Sequence, residues 1–369
     1  MSPVTVTRPV RRRPTFHPLP VTGLERLTGE AVAITFTVPP ELRDTFAFQA
    51  GQHLTVRRPD GAGDVRRSYS ICSTPAELAA TGRLRVAVKE VPGGAFSSFA
   101  VRALKAGDAV DVLPPMGTFT TAFDPGRARR YAAVAAGSGI TPVLALVATA
   151  LAVEPASTFT LVYGNRRAAD VMFADELADL KDRYPTRLRV LHVLSREAGV
   201  APLLSGRVDA ERMGRLLDTL LPAEGVDEWF LCGPYGMVTD AQRVLAERGV
   251  PAQAVHRELF FADEPPAAPR QLPSTAQVGA EATIVLDGRA STVTVAPGER
   301  LLDAALRVRG ELPYACKGGV CSTCRAKLVE GRVTMARNYA LEPDEVAAGY
   351  VLTCQSSPVT DRLVVDYDA

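Results

Sequence analysis

Four of the six cysteines carry the strongest chemical pattern in this chain. Cys316, Cys321 and Cys324 stand as C-x4-C-x2-C, and Cys354 follows in the same C-terminal segment. This is the spacing of a plant-type [2Fe–2S] centre. A two-iron cluster needs four thiolates around a small rhomb. Three on one tight loop can wrap it, and a fourth from a distant strand can close the site. Gly318 and Gly319 leave room for backbone N–H groups to approach the sulfides, which helps set the potential. Zinc ribbons use two C-x2-C pairs, and here there is one. A Rieske centre needs two His ligands, yet no His lies beyond His256. Cysteines clustered in this way point to metal in a reducing compartment, the cytoplasm, rather than to a disulfide framework.

Three other stretches have residue types suited to cofactors. Arg67-Ser68-Tyr69-Ser70 offers a planar cation for a pyrophosphate, an aromatic face for an isoalloxazine ring and a hydroxyl for its polar edge. Gly93, Gly94 and Ser97 could add backbone N–H groups and a hydroxyl on the same phosphates. By itself Arg-x-Tyr-Ser also fits an ordinary surface strand. Gly137-Ser138-Gly139-Ile140-Thr141-Pro142 is a Gly-rich turn that opens a helix, which favours an anion at the helix N-terminus. It is not the G-x-G-x-x-G fingerprint, because position 142 is Pro.

Tyr163-Gly164-Asn165-Arg166 and Ser195-Arg196 sit at the expected carboxyl ends of strands, where open α/β sheets bind ligands. No acidic residue is expected there to hold a ribose 2′-hydroxyl. Arg166, Arg196 and Ser195 suit a 2′-phosphate, so NADPH is expected ahead of NADH; ordinary surface arginines are the other reading. Cys232-Gly233-Pro234 could border a nicotinamide, with the Cys232 thiol near the hydride path, or Cys232 could simply be packed. His17, His53, His192 and His256 show no ligand spacing and read as structural.

The elements that must position these residues change character along the chain. Runs at 31–38, 52–58, 66–72, 84–91 and 109–113 are short, rich in Val, Ile, Thr and Phe, and bounded by turn residues. They predict a small antiparallel β-barrel. From Arg127, strands at 131–136, 159–163, 188–194, 229–232 and 254–259 alternate with helices at 143–152, 174–184, 210–220 and 235–248. That alternation predicts an α/β domain around a parallel sheet. Residues 280–369 form a third unit, with a hairpin at Asp287-Gly288 and a short helix at 301–308. The expected divisions are a flexible basic arm (1–17), the barrel (18–126), the α/β domain (127–261), a Pro-rich linker (262–279) and the cysteine domain (280–369).

Bulk properties exclude some classes. Net charge is +1 over 369 residues, so no global field draws nucleic acid or an anionic membrane. No apolar run reaches the length of a membrane span. The basic Arg11, Arg12 and Arg13 are followed by Pro14, His17, Pro18 and Pro20 rather than by the apolar stretch of a signal peptide.

Together these pieces resemble the ferredoxin–NADP reductase superfamily. The order of barrel, nicotinamide domain and C-terminal plant-type ferredoxin is similar to that of oxygenase reductases. The resemblance covers about residues 18–369. It rests most on YGNR (163–166), LPYACKGGVCSTC (312–324) and NYALEPDEVAAGYVLTCQ (338–355). It implies a β-grasp fold for the last domain. It implies FAD on Arg67, Tyr69 and Ser70, with its pyrophosphate on Gly93, Gly94 and Ser97. Gly137, Ser138, Gly139, Thr141, Cys232, Gly233 and Pro234 would line the nicotinamide site, and Glu258 and Phe260 would lie near the flavin. Ser70, Cys232 and Glu258 are then the expected catalytic residues, and Cys316, Cys321, Cys324 and Cys354 the metal ligands.

The implied activity is oxidation of NAD(P)H, with FAD splitting a hydride into single electrons for the cluster and an external acceptor. The implied acceptor is a separate di-iron oxygenase acting on phenylacetyl-CoA. This chain is not that oxygenase, because it lacks paired Glu-x-x-His motifs. The alternatives are a reductase for a Rieske-type or other monooxygenase, and a stand-alone electron carrier using the cluster alone.

Overall fold

The computed structural model describes residues 15–59, 64–197, 201–260 and 279–369. Residues 1–14 of the expected arm, its three arginines among them, and residues 262–278 of the expected linker lie outside the described residues. The described chain forms two compact units, one holding residues 16–260 and one holding residues 279–369.

The first unit opens with six strands: β1 (His17–Thr28), β2 (Ala31–Thr37), β3 (His53–Pro59), β4 (Asp64–Ser70), β5 (Arg83–Lys89) and β6 (Ala109–Val112). Their order is β4-β3-β6-β1-β2-β5, with every pair antiparallel. A bridge between Ile71 and Val86 joins the two ends, closing the barrel. Leu19, Ile34, Phe36, Leu54 and Val86 fill it, all fully buried. Helix α1 (Pro75–Thr81) and helix α2 (Ala95–Arg102) interrupt the strands.

β1 departs from the sequence expectation. It begins at His17 and contains Pro18 and Pro20, residues that argue against a strand. Residues 17–20 pair only with β6, and from Val21 the strand pairs with β2. Each proline therefore sits where the strand has one open side and its missing N–H costs no ladder bond.

The barrel is followed by five strands: β7 (Arg130–Ala136), β8 (Thr158–Asn165), β9 (Leu188–Leu194), β10 (Glu228–Gly233) and β11 (Val255–Leu259). Helices α3 (Ile140–Val153), α4 (Ala174–Arg183), α5 (Ala210–Thr219) and α6 (Tyr235–Glu247) alternate with them. The sheet is wholly parallel, in the order β11-β10-β7-β8-β9. The chain grows outward from β7 to β9, then returns to the other side of β7. The topological switch point therefore lies between the carboxyl ends of β7 and β10.

Barrel and sheet share one core. Ala31, Ala33, Ala87 and Cys72 of the barrel pack in the same cluster as Tyr131, Phe159 and Phe230 of the sheet. Small side chains let the barrel wall approach closely. Arg85 of β5 crosses the seam to Glu176 of α4 with both carboxylate oxygens at 2.5 Å. Glu154, fully buried, accepts from Asp124 N, Tyr131 Oη and Ser157 Oγ, and so fixes the segment joining barrel to sheet.

The second unit has a five-stranded mixed sheet built from β12 (Ala280–Leu286), β13 (Arg289–Val295), β14 (Arg325–Glu330), β16 (Tyr350–Leu352) and β18 (Arg362–Asp366). The order is β13-β12-β18-β14-β16, with only β12 and β18 parallel. Helix α7 (Leu301–Leu306) covers it, burying Leu301, Leu302, Ala304 and Ala305. β15 (Val333–Met335) and β17 (Ser356–Pro358) form a small second sheet, and α8 (Pro343–Ala347) precedes β16. This sheet clasping one helix is the expected β-grasp. The Asp287-Gly288 turn takes φ of 54° and 67°, as a tight hairpin requires.

Candidate functional site

β4 lays out the flavin motif by strand alternation. Arg67 and Tyr69 share one face, and Ser70 points to the other. Tyr69 packs on Phe96 of α2, ring centroids 5.5 Å apart. Burial pushes its phenol well up, against the pull of Arg67, so the ring stays neutral. Arg67 is exposed and donates to its neighbour's carbonyl, Arg66 O, at 2.7 Å. Gly93 turns the chain at φ 73°, and Gly94 caps α2. The first-turn N–H groups of that helix have no carbonyl of their own helix to meet. Ser97 is 5% exposed, and its hydroxyl accepts from Val91 N at 3.1 Å, so it braces the turn as well as facing it.

On the opposite face of β4, three elements meet. Ser70 Oγ donates to Glu258 Oε2 at 2.9 Å across the seam between barrel and sheet. Glu258 on β11 is the register partner of Cys232 on β10. Cys232 is fully buried; burial first, and then the negative charge of Glu258, push its thiol far up, so it stays protonated. Ser70, Cys232 and Glu258 thus come together at one end of the sheet. Phe260, just beyond β11, packs partly buried against the shared core.

His53 joins this group although its spacing marked it as structural. It pairs with Ser70 in register, and its Nδ1 lies 3.8 Å from Glu258 Oε1. It is 4% exposed, and its Nε2 is buried without a hydrogen-bond partner in the structure. Only the β3–β4 register could have revealed it, and sequence spacing does not carry that.

The nicotinamide segment lies at the switch point. Gly137–Gly139 form a 3-10 turn after β7, and α3 starts at Ile140. Gly139 has a packing reason: a Cβ there would sit 2.2 Å from Cys232 O. Beside Gly137, by contrast, a Cβ would meet nothing within 4 Å, which leaves open space for a ligand. Ser138 is half-buried, whereas Thr141 is buried and donates back to Ser138 O at 2.9 Å. Gly233 and Pro234 end β10 and lead into α6 beside this turn.

Arg166 and Ser195-Arg196 are brought together by the backbone. Ser195 N donates to Asn165 O at 2.9 Å, and Arg196 N to Arg166 O at 2.8 Å. Both arginines are exposed. One sequence expectation needs correction here: an acidic residue does stand at this edge. Glu197, exposed, follows Arg196, and its Oε2 accepts from Ala168 N at 3.2 Å.

In the second unit the four cysteines converge, with Cys316 acting most strongly on Cys321 and Cys324 on Cys354. Among the described residues no three His, Cys, Asp or Glu side chains are grouped so as to hold a single metal ion. Two pairs suit a two-iron cluster, in which each iron takes two thiolates. The Cys316 thiol is held down by the hydrogen bond from Cys321, against burial, with help from the N–H groups of Gly318, Val320 and Cys321. Gly318 N lies 3.3 Å from Cys316 Sγ. Lys317 and Ser322 adopt φ of 50° and 51°, a left-handed conformation costly for side-chain-bearing residues. Gly319 takes φ 81° and has Arg337 O only 3.2 Å from where a Cβ would stand. Such a strained loop aims donors and sulfurs inward. The donor set therefore fits a [2Fe–2S] cluster, and the sites in the first unit fit FAD and a nicotinamide dinucleotide.

Fold and site together define an oxidoreductase that handles hydride in one unit and carries an iron–sulfur module in the other. Three family models match the chain: the oxidoreductase FAD-binding domain over residues 18–121, the oxidoreductase NAD-binding domain over 133–243, and the 2Fe-2S iron-sulfur cluster binding domain over 284–359. The chain belongs to the ferredoxin–NADP reductase-like oxygenase reductases that carry a C-terminal [2Fe–2S] ferredoxin domain. It is 45% identical to a subunit of 1,2-phenylacetyl-CoA epoxidase from Escherichia coli K12, over 96% of this chain and 98% of that protein. It is 34% identical to the ferredoxin reductase component of 3-ketosteroid-9-alpha-monooxygenase from Rhodococcus rhodochrous, over 95% and 96%. The solved structure of phthalate dioxygenase reductase shares the fold, with a TM-score of 0.58 at 24% identity, covering 95% of this chain and 98% of that one. Among the described residues no helix is long and apolar enough to cross a membrane.

Proposed function

We propose that this chain oxidises NADPH and delivers electrons one at a time, through FAD and its [2Fe–2S] cluster, to a di-iron oxygenase that epoxidises the ring of phenylacetyl-CoA. The observation that carries the reading is the convergence of Ser70, Glu258 and Cys232 where the flavin motif meets the switch point of the sheet. FAD, when bound, accepts hydride as a pair and releases electrons singly. The chain's own residues do the rest. Arg67 and the α2 N-terminus hold the pyrophosphate, and Tyr69 supports the ring. Ser70 and Glu258 hold a hydrogen-bonded proton at the seam. Cys232, kept neutral, packs beside the path of the hydride without competing for it. Arg166, Ser195 and Arg196 receive the 2′-phosphate.

Near-complete coverage of the epoxidase protein supports the choice of acceptor. The 34% identical 3-ketosteroid relative favours a second reading, service to another monooxygenase. The six unpaired cysteines suit a reducing compartment such as the cytoplasm. The three family-model ranges fall within the proposed divisions at 18–126, 127–261 and 280–369, and none enters the proposed linker at 262–279.

The test is coupled turnover with purified di-iron oxygenase and phenylacetyl-CoA. NADPH consumption matched by epoxide formation is expected. Consumption without product there, but with product when a steroid monooxygenase is supplied, selects the second reading.

A further inference from the structure

The residue after the fourth cysteine has no assigned role. Gln355 is 8% exposed, and its amide reaches across the cluster loop. Nε2 donates to Lys317 O at 2.8 Å, lies 3.1 Å from Cys354 O, and lies 3.7 Å from Cys354 Sγ. Its backbone is pinned, since Gln355 O accepts from Ala336 N at 2.9 Å and from Arg300 Nη1 at 3.0 Å. Its Cγ lies 3.1 Å from where a Cβ on Gly319 would stand, so the side chain is wedged against the loop. The amide cannot swing away without breaking these contacts.

We infer that Gln355 is a positioning residue that raises the reduction potential of the cluster by donating an N–H bond to the Cys354 sulfur while tying the first ligand loop to the fourth ligand. The inference rests on the [2Fe–2S] reading of the four cysteines. Adding one electron to the cluster increases negative charge on its sulfurs. A fixed N–H dipole aimed at one of them stabilises the reduced form more than the oxidised form. Apart from the Thr323 hydroxyl beside Cys321, the other donors acting on the cysteines are backbone N–H groups, which any sequence could supply. Gln355 is a side-chain donor and can be removed by itself.

The test uses the full-length holoprotein and two variants. Gln355→Met keeps length and shape but has no donor. Gln355→Glu keeps the shape and replaces the donor with an oxygen. Potentials are read by redox titration with electron paramagnetic resonance detection. Iron–sulfur stretching bands are read by resonance Raman in water and in deuterium oxide. Iron and sulfide content of the wild type tests the cluster reading separately, because a protein without iron fails that reading and not this inference.

With the cluster loaded, Q355M is expected to lower the reduced-to-oxidised ratio at fixed potential by roughly five- to tenfold, tenfold being ~59 mV for one electron. Q355E is expected to shift the ratio further in the same direction. Part of the wild-type deuterium shift should vanish in both. An unchanged potential in a loaded Q355M overturns the inference. So does loss of the cluster from Q355M and Q355E, which would make Gln355 a strut for assembly and not a tuning donor.

Discussion

Removing the Ser70 hydroxyl should slow hydride transfer without dismantling the site. Ser70 is 2% exposed, and its Oγ donates at 2.9 Å to a carboxylate on Glu258 whose side chain is 13% exposed. A hydrogen bond to a charged group contributes about 1.5–3 kcal/mol. The carboxylate keeps slight solvent access, and His53 Nδ1 stands 3.8 Å from its other oxygen. The lower part of that range applies, about 1.5–2 kcal/mol, or roughly 10- to 30-fold in rate.

The assay is anaerobic stopped-flow reduction of bound flavin by saturating NADPH. Ser70→Ala should show the loss in the first-order rate, with the apparent affinity for NADPH little changed. Ser70→Thr, which keeps the hydroxyl, should remain within about threefold of the wild type on the same reasoning. A Ser70→Ala rate within twofold of wild type, or a loss confined to NADPH affinity, refutes the role given to the Ser70–Glu258 pair.

Other outcomes follow from the same geometry. Cys354→Ser should abolish iron–sulfur absorbance and leave flavin that NADPH still bleaches, measured by visible spectrum and iron content. Arg166→Ala and Arg196→Ala should each raise KM for NADPH roughly tenfold, the size of a lost charge-assisted bond. KM for NADH should move less than about twofold on the same basis, and steady-state kinetics with both nucleotides check this. Glu228 is buried, which would raise its pKa; hydrogen bonds from His256 and Thr121, then the charges of His256 and Arg129, hold it below the ordinary glutamate value. A depressed folded-state pKa gives stability above the unfolded value, 4.5, which is lost as pH falls through the folded value. Wild type should therefore exceed Glu228→Gln in Tm at pH 7, and the gap should close as pH falls below 4.5, as thermal unfolding across pH would show.

Much of this architecture was legible because its signals are local. Strand and helix limits in the parallel sheet follow the apolar runs closely, since buried parallel strands and amphipathic helices each print their own period. Cys316, Cys321 and Cys324 were legible because a loop that wraps a cluster fixes its own spacing. What escaped depends on pairing across the chain. Pro18 and Pro20 hid β1, because only the switch of partner from β6 to β2 makes prolines harmless there. Ala31, Ala33 and Ala87 read as ordinary strand residues until the barrel wall meets the sheet. His53 gained its place from register with Ser70. Lys317 and Ser322 carry left-handed backbone that no propensity would assign to them.

The central claim is one electron chain within one polypeptide. It is tested most directly by anaerobic titration of the purified protein with NADPH, followed through the visible spectrum. The account predicts flavin and iron–sulfur absorbance in the isolated protein, and bleaching of both as NADPH is added beyond one equivalent, because FAD takes two electrons, the cluster one, and each NADPH supplies two. A flavin-free spectrum, or cluster absorbance indifferent to NADPH and NADH while dithionite bleaches it, would contradict the account and leave an electron carrier alone.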